Sequence, residues 1–107
     1  MIKRVSIDDV NKAMDNEQHQ HVLDIRDPQS FAAGHIEKSI NVNNANISEV
    51  LGTIEDDEPI IVVCYHGHSS LGAAQYILNL GYSDVASMDG GFEGWKQKYT
   101  FSSTKSE

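Results

Sequence analysis

Residues 60–74 read IIVVCYHGHSSLGAA, and this stretch determines the expected fold. Four consecutive apolar residues predict a buried strand that stops at Cys64, and a short polar loop with Gly67 near its middle then leads into a helix. A loop that turns back to a helix N-terminus directs several backbone N–H groups into one concavity, where the helix dipole adds partial positive charge. A thiol placed there ionises more easily than a free cysteine, so we expect Cys64 to be a nucleophile.

The rest of the chain alternates strands with helices. The residue pattern predicts strands at 3–7, 21–25, 39–42, 60–63 and 85–88. It predicts helices from a Ser6 cap to about residue 16, at 47–51, at 70–80 before a C-cap at Gly81, and around Phe92, Trp95 and Tyr99. Pro28 indicates either a turn or the first position of a short helix. Such alternation is typical of an α/β domain with a mainly parallel sheet and helices on both faces. Ligands bind beyond the carboxyl ends of such strands, which is where Cys64 falls.

Length and composition are those of an ordinary globular domain. We expect the 107 residues to form a single domain, 1–107, with its core at about 5–99 and a loose, Ser-rich tail at 101–107. The hydrophobic fraction of 39% and the charged fraction of 22% exclude a disordered chain. Since no apolar run approaches the length of a membrane span and residues 1–5 lack the apolar core of a signal peptide, we expect a cytoplasmic protein without membrane contact.

Charge and cysteine content exclude several classes of function. Sixteen acidic residues against eight basic ones give a net charge of −8, which argues against nucleic acid or an anionic membrane as a partner. The same charge repels an anionic substrate. The repulsion comes from surface carboxylates and is screened by salt, so a local array of amides at Cys64 has to outweigh it. Because Cys64 is the only cysteine, an intrachain disulfide and a dithiol mechanism run by this chain alone are excluded.

Three segments of the chain resemble the signatures of one family. They are Asp24-Ile-Arg-Asp-Pro-Gln-Ser-Phe31 with Gly34-His35-Ile36, Cys64-Tyr-His-Gly-His-Ser-Ser70, and Asp89-Gly-Gly-Phe-Glu-Gly-Trp95. In this order they resemble a rhodanese domain, and they look most like the single-domain thiosulfate sulfurtransferases of the GlpE type. The resemblance covers residues 5–99. It implies a five-stranded parallel sheet and a cysteine that forms a persulfide.

The resemblance also implies a reaction and a set of site residues. Cys64 would attack the outer sulfur of thiosulfate, release sulfite, and pass the bound sulfur to cyanide or to a protein dithiol such as thioredoxin. The substrate-binding residues would be those of the loop, namely Tyr65, His66, Gly67, His68, Ser69 and Ser70. The amides of residues 65–69 would hold the persulfide, Gly67 would allow a positive φ, and the two serines would add hydroxyl donors. The reaction requires no metal and no organic cofactor.

Charged residues near the motifs have simpler explanations than substrate contact. Arg26 follows Asp24 by two residues, a spacing that favours an ion pair or a loop brace, with support of the substrate as the second interpretation. The spacing of Cys64, His66 and His68 would allow the three to ligate a metal ion. A loop curled around the thiol would turn the other side chains outward, however, which disfavours such a site. We therefore expect the two histidines to lend positive charge at the mouth of the site.

Two further polar segments receive no functional role. His19 and His21 have no cysteine or carboxylate nearby in sequence at ligand spacing, so they are interpreted as surface histidines rather than metal ligands. Residues 55–58 are four consecutive acidic residues, which are interpreted as a solvated connector.

Two other functions stay open. A Cys-dependent phosphatase or arsenate reductase uses a related loop of the form Cys-x5-Arg, in which the arginine binds the oxyanion through two hydrogen bonds. Ser70 stands at that position here, six residues after Cys64, so this arginine is missing. A non-catalytic, rhodanese-like recognition module commonly lacks the cysteine, which this chain keeps.

Tyr65 and His66 stand where two-domain rhodaneses favour basic residues. We therefore expect modest affinity for thiosulfate, and another physiological sulfur donor stays open.

Overall fold

A five-stranded sheet forms the centre of the computed structural model, which describes residues 2–104. The strands are β1 Lys3–Val5, β2 His21–Asp24, β3 Ile40–Asn41, β4 Ile60–Val63 and β5 Val85–Met88. The helices are α1 Ile7–Asp15, α2 Pro28–Ala33, α3 Ile47–Leu51, α4 Ser69–Asn79 and α5 Gly91–Trp95. The strand order is β1-β5-β4-β2-β3, and each neighbouring pair is parallel. The predicted α/β architecture with a five-stranded parallel sheet is confirmed.

Strand β4 runs through the middle of the sheet and contributes side chains to both of its faces. Ile61 and Val63 pack in a layer with Trp95 and the apolar residues of α1. Ile60 and Val62 pack on the opposite face with the apolar residues of α3 and α4. Because successive side chains of a strand point to opposite faces, a strand covered on both sides has to be apolar throughout. This requirement explains the uninterrupted Ile-Ile-Val-Val run.

Local capping signals set the ends of three helices. The Ser6 hydroxyl accepts the backbone N–H three residues on, at 3.0 Å, and begins α1. The Asp27 carboxylate accepts the Ser30 N–H at 3.0 Å, and Pro28 occupies the first position of α2. Gly81, with φ +108°, terminates α4 in the left-handed conformation, as predicted. Within residues 2–104, no helix has the length and apolar character needed to cross a bilayer.

Two predicted boundaries differ from the structure by more than one residue. Ile7 belongs to α1 rather than to the first strand, because the Ser6 cap starts the helix immediately. Helix α5 ends at Trp95, so Tyr99 lies beyond it, although the two rings still pack at 5.1 Å between centroids. The Trp95 indole N–H donates to the Thr100 carbonyl at 3.0 Å and turns the chain back after the helix.

Part of the segment predicted to be a loose tail forms backbone hydrogen bonds with residues near the end of α2. Ser102 and His35 exchange two backbone hydrogen bonds of 2.8 and 2.9 Å, and the Thr104 N–H donates to the Ala32 carbonyl at 3.0 Å. A Ser-rich sequence has little local preference, but pairing with a distant segment satisfies its backbone groups. Residues 105–107 of that segment lie outside the described residues.

Candidate active site

The central strand of the sheet positions Cys64. This residue follows directly after the end of β4, which has β5 on one side and β2 on the other. The chain then turns over residues 64–68 and enters α4 at Ser69. Because the strands are parallel, their carboxyl ends meet at one edge of the sheet, and the positive end of the α4 dipole lies at the same edge. Cys64 thus lies between a strand end and a helix N-terminus, where the pattern of residues 60–74 predicts it.

Hydrogen-bonding groups surround the sulfur of Cys64. The Gly67 N–H donates to Sγ at 3.1 Å and the Ser70 N–H at 3.3 Å, while the thiol lies 3.2 Å from Ser70 Oγ. The residue is only 3% exposed. Of the amides expected from residues 65–69, that of Gly67 donates to Sγ and that of His66 acts on the thiol more weakly; a further amide comes from Ser70, one residue beyond the expected range. Two amides and a hydroxyl around a buried sulfur favour its anionic form.

These surroundings shift the pKa of the Cys64 thiol in opposing directions. Burial raises the pKa, because the charged sulfur loses contact with water. Hydrogen bonds from the Ser70 hydroxyl, the Ser70 amide and the amides of Gly67 and His66 lower it, and together they hold the pKa of Cys64 below the ordinary 9.0. At neutral pH the nucleophilic thiolate is therefore more populated than in a free cysteine.

A second serine lies behind Ser70 and was not among the predicted site residues. Ser87 of β5 places its hydroxyl 2.6 Å from Ser70 Oγ, and both side chains are fully buried. When Cys64 is ionised, Ser87 can donate to Ser70 while Ser70 donates to the sulfur. The sequence contains one indication of this role, a serine within the otherwise apolar strand Val-Ala-Ser-Met, because a buried hydroxyl needs a hydrogen-bond partner.

Two glycines let the Cys64 loop and the start of α5 come close together. Gly67 has φ +98°, and a Cβ there would lie 2.9 Å from the backbone nitrogen of Gly90. Gly91 has φ +60°, and a Cβ there would lie 2.6 Å from the carbonyl oxygen of Cys64 and overlap that of Tyr65. Side chains rarely adopt such a φ, and neither position has room for one. The positive φ predicted for Gly67 is confirmed.

Backbone hydrogen bonds from α5 hold the Cys64 loop in place. The Phe92 N–H donates to the Cys64 carbonyl at 2.8 Å, and the Glu93 N–H donates to the Tyr65 carbonyl at 3.0 Å. These are amides of the first helical turn, which have no partner inside their own helix. The third sequence motif therefore supports the second through direct hydrogen bonds.

Comparison with known proteins assigns the chain to a family. Residues 6–98 match the family described as Rhodanese-like domain. The chain is 48% identical over 98 residues to Thiosulfate sulfurtransferase GlpE of Pseudoalteromonas translucida, which covers 92% of each chain. It is 42% identical over 105 residues to the protein of the same name from Pseudomonas aeruginosa, with 98% of this chain and 94% of the relative covered. The chain belongs to the rhodanese-like family.

Solved structures of rhodanese-like proteins share the fold. A rhodanese-like domain protein from Staphylococcus aureus superposes with a TM-score of 0.83 at 21% identity and covers 98% of this chain and 100% of its own. A rhodanese-related protein from Thermoplasma volcanium gives a TM-score of 0.79 at 25% identity, with 96% and 99% covered. The overall architecture is therefore retained at low sequence identity.

Arg26 braces the active-site edge of this rhodanese. Its guanidinium contacts the Asp24 carboxylate through Nε at 3.0 Å and Nη2 at 2.8 Å, and Nη2 also donates to the Gly34 carbonyl at 2.6 Å. It lies 4.2 Å from the centre of the Phe92 ring. Arg26 and Asp24 are buried. The predicted ion pair is present, and it connects the end of β2 with α2 and α5.

The other loop side chains of the rhodanese point away from the sulfur. Tyr65 turns toward α2, where its hydroxyl donates to the Asp27 carboxylate and lies 2.9 Å from Ser30 Oγ. His66 and His68 are exposed, as is the first residue of α4, Ser69. Of the predicted binding residues, Gly67 and Ser70 contact the sulfur directly, whereas the side chains of the other four lie on the outside of the loop.

The sequence shows no carboxylate near His19 and His21 at ligand spacing, but the fold brings one beside them. Glu58 lies 2.5 Å from His19 Nε2 and 3.4 Å from His21 Nε2. The acidic turn that contains Glu58 is distant in sequence, and the pairing of β2 with β4 brings it alongside. Within residues 2–104, these three side chains form a group that could hold a metal ion.

Proposed function

We propose that this rhodanese is a thiosulfate sulfurtransferase that carries sulfur as a persulfide on Cys64. The observation that carries the proposal is the environment of Cys64 Sγ, a buried sulfur within 3.3 Å of the Gly67 and Ser70 amides and of Ser70 Oγ. Relatives that are 42–48% identical over nearly the whole chain bear the name thiosulfate sulfurtransferase, which supports this choice of donor. The loop residues 65–70 form the substrate site.

The first step is a displacement at sulfur. The Cys64 thiolate attacks the outer sulfur of thiosulfate, a new S–S bond forms, and the bond to the sulfonate sulfur breaks. Sulfite leaves with the electron pair of that bond, and Cys64 carries a persulfide with one negative charge. The amides of the loop stabilise the charge on sulfur, as in other preorganised anion sites.

The second step returns the enzyme to its starting state. Cyanide, or a thiolate from a protein dithiol such as thioredoxin, attacks the terminal sulfur of the persulfide. The S–S bond breaks, the acceptor leaves with the sulfur as thiocyanate or as its own persulfide, and Cys64 becomes a thiolate again. The chain contains no second cysteine, so an acceptor thiol has to come from another molecule. A reducing compartment keeps Cys64 usable, and we place the enzyme in the cytoplasm.

The arrangement is less suited to phosphatase or arsenate reductase chemistry. Ser70 occupies the position at which a Cys-x5-Arg loop carries its arginine, and its buried hydroxyl faces Cys64 rather than open space. Arg26 already contacts Asp24 and a backbone carbonyl. A phosphoryl or arsenate group attacked by Cys64 would therefore lack the bidentate arginine that those enzymes use.

The test measures both half-reactions. Reduced protein incubated with thiosulfate should release sulfite and gain one sulfur atom by intact mass, and added cyanide should remove that sulfur as thiocyanate. Cys64→Ser should show none of these changes while its circular dichroism and thermal melt stay those of a folded chain. Turnover of an aryl phosphate with sulfite at background, or stable folding without any persulfide, would contradict the proposal.

A further inference from the structure

His19, His21 and Glu58 meet at the end of the sheet opposite to Cys64. His21 opens β2, and it pairs in register with Ile60 of β4. Two residues before each of these positions, in the segments that lead into the strands, His19 faces Glu58. Because residues i and i+2 of an extended segment lie on the same side, both imidazoles point toward the same carboxylate. The parallel sheet therefore brings together two segments that are nearly forty residues apart.

The three ligand atoms are already close to one another. One ring nitrogen of each histidine and a carboxylate oxygen of Glu58 all lie within 4.8 Å of one another. Two ligands of one tetrahedral zinc ion are about 3.3 Å apart, given metal–ligand bonds of about 2.0–2.1 Å. The 3.4 Å between His21 Nε2 and Glu58 Oε1 matches that spacing. His19 is 2.5 Å from the other oxygen, and its exposed side chain can withdraw to admit an ion.

One of these ligand atoms lacks a partner, and another is held in place. His21 Nε2 is buried and has no hydrogen-bond partner among residues 2–104, although Glu58 lies near it. A buried imidazole nitrogen without a partner is costly, and a metal ion would satisfy it. Glu58 is held in orientation by the Glu55 N–H, which donates to its Oε1 at 2.8 Å. One ligand is thus fixed by its turn and another by its strand.

The local charge also favours a cation. Glu58 belongs to a run of four acidic residues, 55–58, and the chain carries a net charge of −8. Two imidazoles and one carboxylate suit Zn²⁺ and neighbouring divalent transition metals, whereas Mg²⁺ and Ca²⁺ prefer oxygen ligands. Three protein ligands leave one position of a tetrahedral ion for water.

We propose that His19, His21 and Glu58 form a binding site for a divalent transition-metal ion of the Zn²⁺ class. The ion joins the segment before β2 to the turn before β4, at the amino ends of the strands, while Cys64 lies at their carboxyl ends. Its expected effect is on stability rather than on sulfur transfer. The proposal does not depend on the proposed function.

The experiment uses full-length protein with Cys64→Ser, because a free thiolate would itself bind the metal. Titration with Zn²⁺ followed by calorimetry should show one ion per chain, and Zn²⁺ should raise the thermal midpoint. Adding Glu58→Gln or His21→Ala should weaken binding by roughly tenfold or more and remove the thermal shift. Glu55→Gln is the matched control, since it makes the same chemical change in the same turn without removing a ligand.

Melting curves without metal show whether each variant is folded. Backbone amide NMR signals of residues 19–21 and 58 should shift on adding Zn²⁺ to the Cys64→Ser protein. The proposal is overturned if millimolar Zn²⁺ produces no heat and no signal change, which would leave only a hydrogen-bonded His–Glu pair. It is also overturned if binding persists unchanged in both Glu58→Gln and His21→Ala, or is lost only on replacing His66 and His68.

Discussion

Cys64 owes its chemistry to a balance between burial and a small number of donors. Burial opposes ionisation of the thiol, and the hydrogen bonds of Ser70, Gly67 and His66 reverse that effect. Ser70 alone contributes both a hydroxyl and an amide. It is therefore the residue at which the pKa of the nucleophile can be changed most directly without altering the sulfur.

Replacing Ser70 by alanine removes the hydroxyl and keeps the amide. Since burial of Cys64 is then less opposed, its pKa rises and the thiolate appears at higher pH. A hydrogen bond to a charged group contributes about 1.5–3 kcal/mol, so we expect sulfur transfer at neutral pH to fall roughly tenfold or more. The acidic limb of the kcat/KM profile should move to higher pH, and the pH dependence of Cys64 alkylation by iodoacetamide should move with it.

Ser48→Ala is the matched control for this prediction. Ser48 is exposed and is the second residue of α3, as Ser70 is of α4, so its loss should leave the pH profile unchanged. Ser87→Ala keeps the contacts between Ser70 and the sulfur and should give a smaller shift in the same direction. A kcat/KM profile that does not move in Ser70→Ala would show that the hydroxyl does not stabilise the thiolate.

The main role of α5 is to hold the Cys64 loop in position. Five residues are too few for a stable isolated helix, so packing has to maintain it. It buries Phe92 and Trp95 against the sheet, and its first amides hold the Cys64 loop. Gly91, at the contact, is the position where this arrangement tolerates least change.

Gly91→Ala should disrupt the contact between α5 and the loop. The new Cβ would lie 2.6 Å from the Cys64 carbonyl oxygen and would require φ near +60°. Left-handed strain of about 1–3 kcal/mol is added to overpacking of about 1–3 kcal/mol, so the free energy of unfolding should fall by about 2–6 kcal/mol. Urea denaturation followed by tryptophan fluorescence measures the change.

Gly72→Ala is the control for that substitution. It lies in α4, and a Cβ there meets nothing within 4 Å. Alanine in place of a helical glycine should stabilise the protein by about 0.4–1 kcal/mol. Equal effects of the two substitutions would mean that the close approach at Gly91 does not constrain the loop.

The net charge of −8 on the whole molecule repels an anionic substrate as it approaches. The surface carboxylates act over distances that salt controls, since the Debye length falls from about 30 Å at 0.01 M to about 8 Å at physiological ionic strength. The amides around Cys64 act at contact distance and are screened much less. The two contributions can therefore be separated by ionic strength.

We expect kcat/KM for thiosulfate to rise roughly twofold or more as ionic strength increases over that range, because the long-range repulsion is screened. Alkylation of Cys64 by neutral iodoacetamide should change little, whereas alkylation by anionic iodoacetate should accelerate in parallel with thiosulfate turnover. A fall in kcat/KM with added salt would instead indicate that attraction by exposed cations governs substrate capture.

Local patterns accounted for most elements of the fold. The bounds of β4, α3 and β5 agree with the prediction, because apolar runs and capping residues are read within a few positions. Ile7 was misassigned for a related reason, since an apolar residue fits either a strand end or the first turn of a capped helix. The Ser-rich tail was predicted to be loose because nothing in its own sequence shows the pairing of Ser102 with His35.

Residue patterns alone predicted a mainly parallel α/β sheet with Cys64 at the carboxyl end of a buried strand, a positive φ at Gly67 and an arginine paired with a carboxylate two residues away. Each of these follows from residues close together in the chain. Other features are visible only in the folded chain: that β4 is the central strand, that Ser87 lies behind Ser70, that the Asp-Gly-Gly motif supports the loop, and that Glu58 joins His19 and His21. Such contacts depend on strand order and register, which join segments that are distant in sequence.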